Sequence, residues 1–229
     1  MPIPATFKPG DYTVEYLDTN GKVVSSYPIH VTDAHFLKQN VNLAPSTQAL
    51  QPSPGEMETV GALRNTVSDT RFWEEPFDLP IKGCMTSPYG VQRLYNGKPS
   101  GNIHTGLDQR GAAGTPIHAT AAGAVKIARM FNVHGGTVGI DHGQGVTSTY
   151  LHMSRILVKE GQEVDKGAVI GLVGSTGRSN GPHLHWGISV NGVQVNPRQW
   201  IEVQPCAAPA KPAPKSRRPT PKKKQGPAR

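Results

Sequence analysis

One stretch constrains this chain more than any other: Gly181-Pro-His-Leu-His-Trp-Gly-Ile-Ser-Val190. Its polar and apolar residues alternate strictly. In an extended strand, His183, His185 and Ser189 fall on one face, and Leu184, Trp186, Ile188 and Val190 on the other. Four large apolar side chains on one face require a core, so the stretch belongs inside a sheet. The opposite face carries two imidazoles, roughly 6–7 Å apart along the strand. Packing does not call for paired histidines. A metal site does, although a solvated strand face also accounts for them.

His104-Thr-Gly-Leu-Asp108 shifts that balance. A His and a carboxylate four residues apart reach one point from a helix turn or from a tight loop containing Gly. The pattern is weak alone. Added to His-x-His it completes the inventory of a catalytic zinc site, three nitrogen or oxygen ligands with a fourth position left for water. A third piece lies in Val146–Met153, where alternation puts Val146, Ser148, Tyr150 and His152 on one face. Tyr150 and His152 are thus expected to point the same way.

These pieces occur together with Ser87-Pro-Tyr-Gly-Val-Gln-Arg93, Gly114-Thr-Pro-Ile-His-Ala119, the run from Gly161 to Gly174, and Thr176-Gly-Arg-Ser-Asn-Gly-Pro182. In this order they resemble the LytM/lysostaphin-type zinc endopeptidases, which cut peptides in bacterial peptidoglycan. The resemblance spans about residues 81–202. Asn180, Trp186 and Met153 stand where the family often has Thr, Phe or Tyr, and Leu; none of these removes a metal or catalytic position. The resemblance implies one Zn²⁺ per chain held by His104, Asp108 and His185. It gives His152 and His183 the work of moving protons; Tyr150, on the same expected face, is positioned to donate to the developing oxyanion. Within His-x-His, the family and not the spacing says which residue is ligand. The implied partners are peptidoglycan peptide stems. A D-Ala–diaminopimelate cross-link is favoured over glycine bridges because a small β module precedes the catalytic segment.

Two other classes stay in view. Some relatives have lost zinc ligands and act as non-hydrolytic activators of cell-wall amidases; here every ligand position is filled. The run V-x-x-G-Q-x-V-x-K-G, whose Gly161–Gly167 part is shared with biotinyl and lipoyl carriers, lacks their modified-lysine hairpin. The remaining histidines match no ligand pattern. His142 reads as structural or supporting, His30, His35 and His118 as surface residues, and His134 as a loop residue that could line a groove.

The organisation is mainly β. Residues 1–45 form a small N-terminal β module: Asp11–Leu17 alternates, Asn20-Gly21 turns, and Val23–Val31 runs back, with a further strand near Phe36–Leu43. Residues 46–80 form a linker, in which Ser53-Pro-Gly-Glu56 supplies a helix start and a helix is expected to about Thr70. Phe72, Trp73 and Phe77 then dock the linker. From residue 81 to 203 the texture changes. Twenty-one of the 26 glycines lie between Gly83 and Gly192, separating short β-branched runs. This predicts a compact antiparallel β-sandwich or partly closed barrel.

The net charge of +8 is accounted for by the eight Lys and Arg of residues 211–229. The folded part is therefore neutral and suggests no nucleic-acid surface. The tail from residue 204, rich in Pro, Ala and Lys, is expected to be disordered and could tether to anionic wall polymers or membrane surfaces. Cys84 and Cys206 flank the glycine-rich segment; a bridge and two free thiols are both open. No run is long enough for a transmembrane helix and no apolar leader opens the sequence. Action on cell wall nevertheless implies an exported, periplasmic or wall-associated protein.

Overall fold

The computed structural model describes residues 1–74 and 76–201. The basic tail and Cys206 lie outside these residues. Strands β1 (Gly10–Leu17) and β2 (Val23–Val31) form the expected antiparallel hairpin. Its turn is closed by Asp18, whose Oδ1 accepts from the backbone N of Asn20 and Lys22, each at 2.9 Å, with Gly21 at φ +79°. Strand β3 (Lys38–Val41) falls within the expected span but does not join the hairpin. A one-turn helix, α1 (Pro45–Gln48), interrupts the linker, and α2 (Glu56–Arg64) follows.

Helix α2 is shorter than the sequence suggests at both ends. Gly55, in the left-handed region at φ +74°, is the N-cap, so the helix opens at Glu56 and not at Pro54. Ser53 and Glu56 still pair, both Ser53 N and Oγ donating to Glu56 Oε2 at 2.8 Å. At the far end, Asn65 Nδ2 and Thr66 Oγ1 donate back to the carbonyls of Gly61 and Ala62, each at 3.1 Å. Such side chains compete for the groups that would continue the helix, and it stops at Arg64.

The glycine-rich segment supplies the remaining strands. They are β4 (Met85–Ser87), β5 (Gln92–Tyr95), β6 (Lys98–Ile103), β7 (Leu107–Arg110), β8 (Pro116–His118), β9 (Gly123–Met130) and β10 (Gly136–Gly143). After them come β11 (Val146–Met153), β12 (Arg155–Ile156), β13 (Glu163–Val164), β14 (Val169–Leu172), β15 (His183–Val190) and β16 (Val193–Val195). The main sheet runs β13-β9-β10-β11-β15-β7-β4, with β16 also paired to β15. It is an open sheet and does not close into a barrel. A three-stranded sheet, β12-β14-β8, and a second, β3-β5-β6, complete the fold. β3 pairs in parallel with β5, so the third N-terminal strand is built into the glycine-rich segment.

The apolar face of β15 packs as its pattern requires. Leu184 and Trp186 are fully buried and Ile188 nearly so, in one core with Leu107, Ile117, Ile140, Tyr150 and Ile170. Trp73 packs edge-on against Phe77 and Trp200, and Phe77 meets Trp200 at a tilt, docking the linker onto the sheet. Helix α2 covers the sheet elsewhere, Val60 and Leu63 packing on Ile127 and Phe131. Asn191-Gly192, both at positive φ, makes the tight turn between β15 and β16. Among the described residues, no helix is long and apolar enough to cross a membrane.

Candidate metal centre

Strands β7 and β15 are antiparallel neighbours, and their register sets His185 directly opposite Asp108. His104 precedes β7 by a short turn through Gly106. A Cβ on Gly106 would lie 2.5 Å from His185 Nε2 and 2.6 Å from the carbonyl oxygen of Trp186. Only glycine lets the His104 turn pass this close to β15. The spacing H-x-G-x-D thus has a steric cause.

Three ligand atoms converge. Asp108 Oδ1 lies 2.9 Å from His104 Nε2 and 2.9 Å from His185 Nδ1, and the two ring nitrogens are 3.0 Å apart. His104 and Asp108 are buried and His185 is largely so. The carbonyl oxygen of Pro88 lies 2.8 Å from His104 Nδ1 and can only accept, so Nδ1 carries the hydrogen and Nε2 presents a lone pair. Burial alone would raise the Asp108 carboxyl. The hydrogen bonds that His104 and His185 offer when protonated, with their positive charge, outweigh it and hold Asp108 well below the usual carboxylate range. Burial pushes His185 down to about 4, against the pull of Asp108. An ionised oxygen and two imidazole nitrogens therefore face one point with too few protons to satisfy one another, and a shared divalent cation would satisfy all three. The donor set, two nitrogens and one carboxylate oxygen, fits zinc with a position left open. Arg93 Nη2 donates to the outer oxygen, Asp108 Oδ2, at 2.6 Å and fixes the carboxylate from behind.

The group lies in a cleft of about 440 Å³. The sheet supplies its floor, while Val41 and Leu43 from the N-terminal segment and Val60 and Arg64 from α2 add to its walls. His183 and His152 also line it, with ring centroids 4.9 Å apart. His183 Nδ1 donates to the carbonyl oxygen of Gly181 and His152 Nδ1 to that of Thr176, both at 2.8 Å. Each ring therefore keeps Nε2 as its uncommitted nitrogen. The His152 ring centroid is 6.4 Å from that of His185. Burial and then the nearby His183 push His152 down to about 3.

Tyr150 requires a correction. It was expected to share a face with His152 and to serve an oxyanion. It is fully buried in the core, opposite Trp186 on β15, and does not line the cleft. Its hydroxyl accepts from Thr120 N at 3.0 Å and lies 2.8 Å from Thr120 Oγ1 and 3.1 Å from Ser148 Oγ. The reason is local: His152 sits in the left-handed region at φ +65°, which breaks the alternation and brings its ring to the cleft beside Leu151. His142 is fully buried away from the cleft, donating from Nδ1 to the carbonyl oxygen of Ala122 at 2.7 Å. His134 does line the cleft. The Arg93 contact and a partner for His134 were not anticipated. Arg93 stands 15 residues before Asp108, and the His134 partner lies 78 residues away in sequence.

An open β-sheet with a His-Asp-His group at the pairing of two strands offers a set of metal-ligand atoms in a surface cleft. Residues 102–197 match the model of peptidase family M23. The crystal structure of a "putative peptidase M23" from Pseudomonas aeruginosa is 33% identical, covers 87% of this chain and 76% of that one, and superposes with a TM-score of 0.66. The chain belongs to peptidase family M23. Peptidoglycan DD-endopeptidase ShyA of Vibrio cholerae is 45% identical over 120 residues, 52% of this chain and 28% of the relative. DD-carboxypeptidase/endopeptidase Mpg of Neisseria meningitidis is 42% identical over 113 residues, 49% of this chain and 26% of the relative. The chain thus spans about a quarter of the length of these curated relatives.

Proposed function

We propose that this protein is a metalloendopeptidase that hydrolyses peptide cross-links of bacterial peptidoglycan outside the cytoplasm, acting on the D,D bond in preference to glycine bridges. The observation that carries the reading is the convergence of His104 Nε2, Asp108 Oδ1 and His185 Nδ1 within about 3 Å of one another in an open cleft. Family membership and the names of the relatives support it. Residues 81–203 form the catalytic unit in this reading, residues 1–45 the small β module and 46–80 the linker.

His104, Asp108 and His185 would hold Zn²⁺. When bound there, zinc supplies Lewis-acid polarisation of a peptide carbonyl and lowers the pKa of water toward neutrality. His152 and His183 do the proton transfers. With each Nδ1–H tied to a backbone carbonyl, each Nε2 faces the cleft and can take a proton from the attacking water or return one to the leaving amine. Arg93 and the Pro88 carbonyl orient the ligands.

The test is incubation with purified cross-linked peptidoglycan, with and without a chelator, followed by mass spectrometry of the fragments. Chelator-sensitive loss of cross-linked dimers is expected, and the new termini name the bond. Intact dimers in the presence of zinc-loaded protein would overturn the reading in favour of a non-hydrolytic wall-binding role.

A further inference from the structure

Glu56, the first residue of α2, is a carboxylate with no exposed surface. Five backbone and side-chain groups of two segments converge on it, apart from any imidazole. Its Oε2 accepts from Ser53 N and Oγ, each at 2.8 Å, and from Asn132 N at 3.1 Å. Its Oε1 accepts from Val133 N at 3.0 Å and His134 N at 2.9 Å. A carboxylate offers about four lone-pair sites, so these donors already satisfy it. A sixth contact, at 2.6 Å, goes to His134 Nδ1. Burial works against the charge, but the hydrogen bonds from Ser53 and His134 hold Glu56 ionised, at about 2. The contact to the ring is thus more than burial of Glu56 demands.

Its consequence falls on His134. An ionised carboxylate only accepts, so Nδ1 carries the hydrogen and Nε2 is the nitrogen left uncommitted. The His134 side chain is 18% exposed and lines the same cleft as His152, His183 and His185. The turn that carries it is held to the site from the other side. His152 N donates to the His134 carbonyl at 3.0 Å, and Arg178 N to the Val133 carbonyl at 2.8 Å. Gly177 lies against Gly135 so closely that a Cβ on it would meet Gly135 N at 2.5 Å. The ring is therefore fixed relative to the proton-transfer pair. Ser53 and Glu56 lie outside residues 102–197, the segment matched by the family, so the pairing is contributed by this chain's linker.

We propose that His134 contacts the substrate, its Nε2 accepting a hydrogen bond from a backbone N–H of the bound peptide, and that Glu56 is the residue that positions it. The inference rests on the reading that a peptide occupies this cleft.

The test compares wild-type full chain with His134→Asn, whose side-chain amide can donate to Glu56 in place of Nδ1 but leaves nothing where Nε2 stood. Zinc content and melting temperature are expected to be unchanged. KM for a cross-linked muropeptide rises roughly three- to tenfold, the worth of one neutral hydrogen bond, with kcat nearly constant. Glu56→Gln raises KM in the same direction, and the double variant is no worse than His134→Asn alone. In wild-type protein with ¹⁵N-labelled histidines, the muropeptide shifts the His134 Nε2 resonance, a readout that needs no variant. A wild-type enzyme that cleaves the muropeptide while the resonance stays put, or while His134→Asn keeps the wild-type KM, overturns this inference alone. A wild-type protein that neither binds nor cleaves it overturns the peptide-cleft reading and this inference together.

Discussion

Strands β11 and β15 lie side by side and both deliver histidines to the cleft, yet only β15 does so by regular alternation. In β15, His183 and His185 face the cleft while Leu184 and Trp186 are fully buried. In β11, Ser148 and Tyr150 keep the period and face the core, and then His152 departs from it at φ +65°. The backbone turn at His152 therefore decides which of two polar residues, Tyr150 or His152, reaches the cleft. Partners from two other segments stabilise the departure: His152 N bonds to the His134 carbonyl and His152 Nδ1 to the Thr176 carbonyl. The cleft histidines of β15 follow from a pleat, and that of β11 from a break in one.

The comparison is broken most severely at β15. His185→Ala removes one of three convergent ligand atoms and leaves the Asp108 carboxylate, among the described residues, with His104 and Arg93 as partners. Loss of stoichiometric zinc and of peptidoglycan cleavage is expected, measured by metal analysis on the purified variant beside an activity assay. A variant that still binds one zinc per chain and still cleaves would remove His185 from the ligand set. On β11 the matching change is His152→Ala. Here zinc content should stay at the wild-type level while kcat falls about 10²–10⁴-fold, the usual contribution of a positioned acid or base. Equal loss of metal in the two variants would erase the distinction between the strands.

How much of this was legible follows from the same contrast. The β15 face, the two hairpin turns and the His104–Asp108 pair were all readable, because each depends on side chains close in sequence. Alternation needs only period two, and each Asn-Gly turn needs only adjacent residues that tolerate positive φ: Gly21 in the first hairpin, Asn191 and Gly192 in the second. The left-handed His152 was not readable, since that conformation is uncommon outside glycine and is stabilised by partners distant in sequence. The length of α2 was misjudged because Asn65 and Thr66 turn back on the helix they would extend. The parallel pairing of β3 with β5 joins segments about 50 residues apart and leaves no local trace.

The core face of β11 makes a further prediction. His142 Nε2 lies 2.8 Å from Ser148 Oγ, which in turn neighbours the Tyr150 hydroxyl, so a polar chain runs behind the face that lines the cleft. Burial pushes His142 from 6.5 down to about 4. The unfolded chain takes up this proton below about pH 6.5, the folded chain only below about 4. The contribution of His142 to stability is therefore complete above pH 6.5 and falls as pH drops through that window, by about 3 kcal/mol at roughly 1.4 kcal/mol per unit. Denaturant melts of wild type and His142→Gln between pH 7.5 and 4.5 should show a shallower acid loss in the variant. Parallel curves would mean that His142 does not carry the dependence.

The smallest expected effect separates the two faces of β11 most sharply. Tyr150→Phe keeps the ring in the core beside Trp186 and deletes only the hydroxyl. Thr120 N then loses its acceptor in a fully buried site, while Thr120 Oγ1 and Ser148 Oγ lose a neighbour. Leaving one buried donor unpaired costs about 1–3 kcal/mol, and Ser148 Oγ retains His142 Nε2 as a partner, so a loss near the lower end is expected in denaturant melts. Because the hydroxyl points away from the cleft, kcat and KM should match wild type at temperatures where both proteins are folded. An oxyanion donor would behave in the opposite way, with unchanged stability and kcat reduced by about 10²–10³-fold. The two measurements on one variant thus decide whether the period of β11 carries through Tyr150 to the core, as the structure has it, or whether the phenol belongs to the reacting side of the strand.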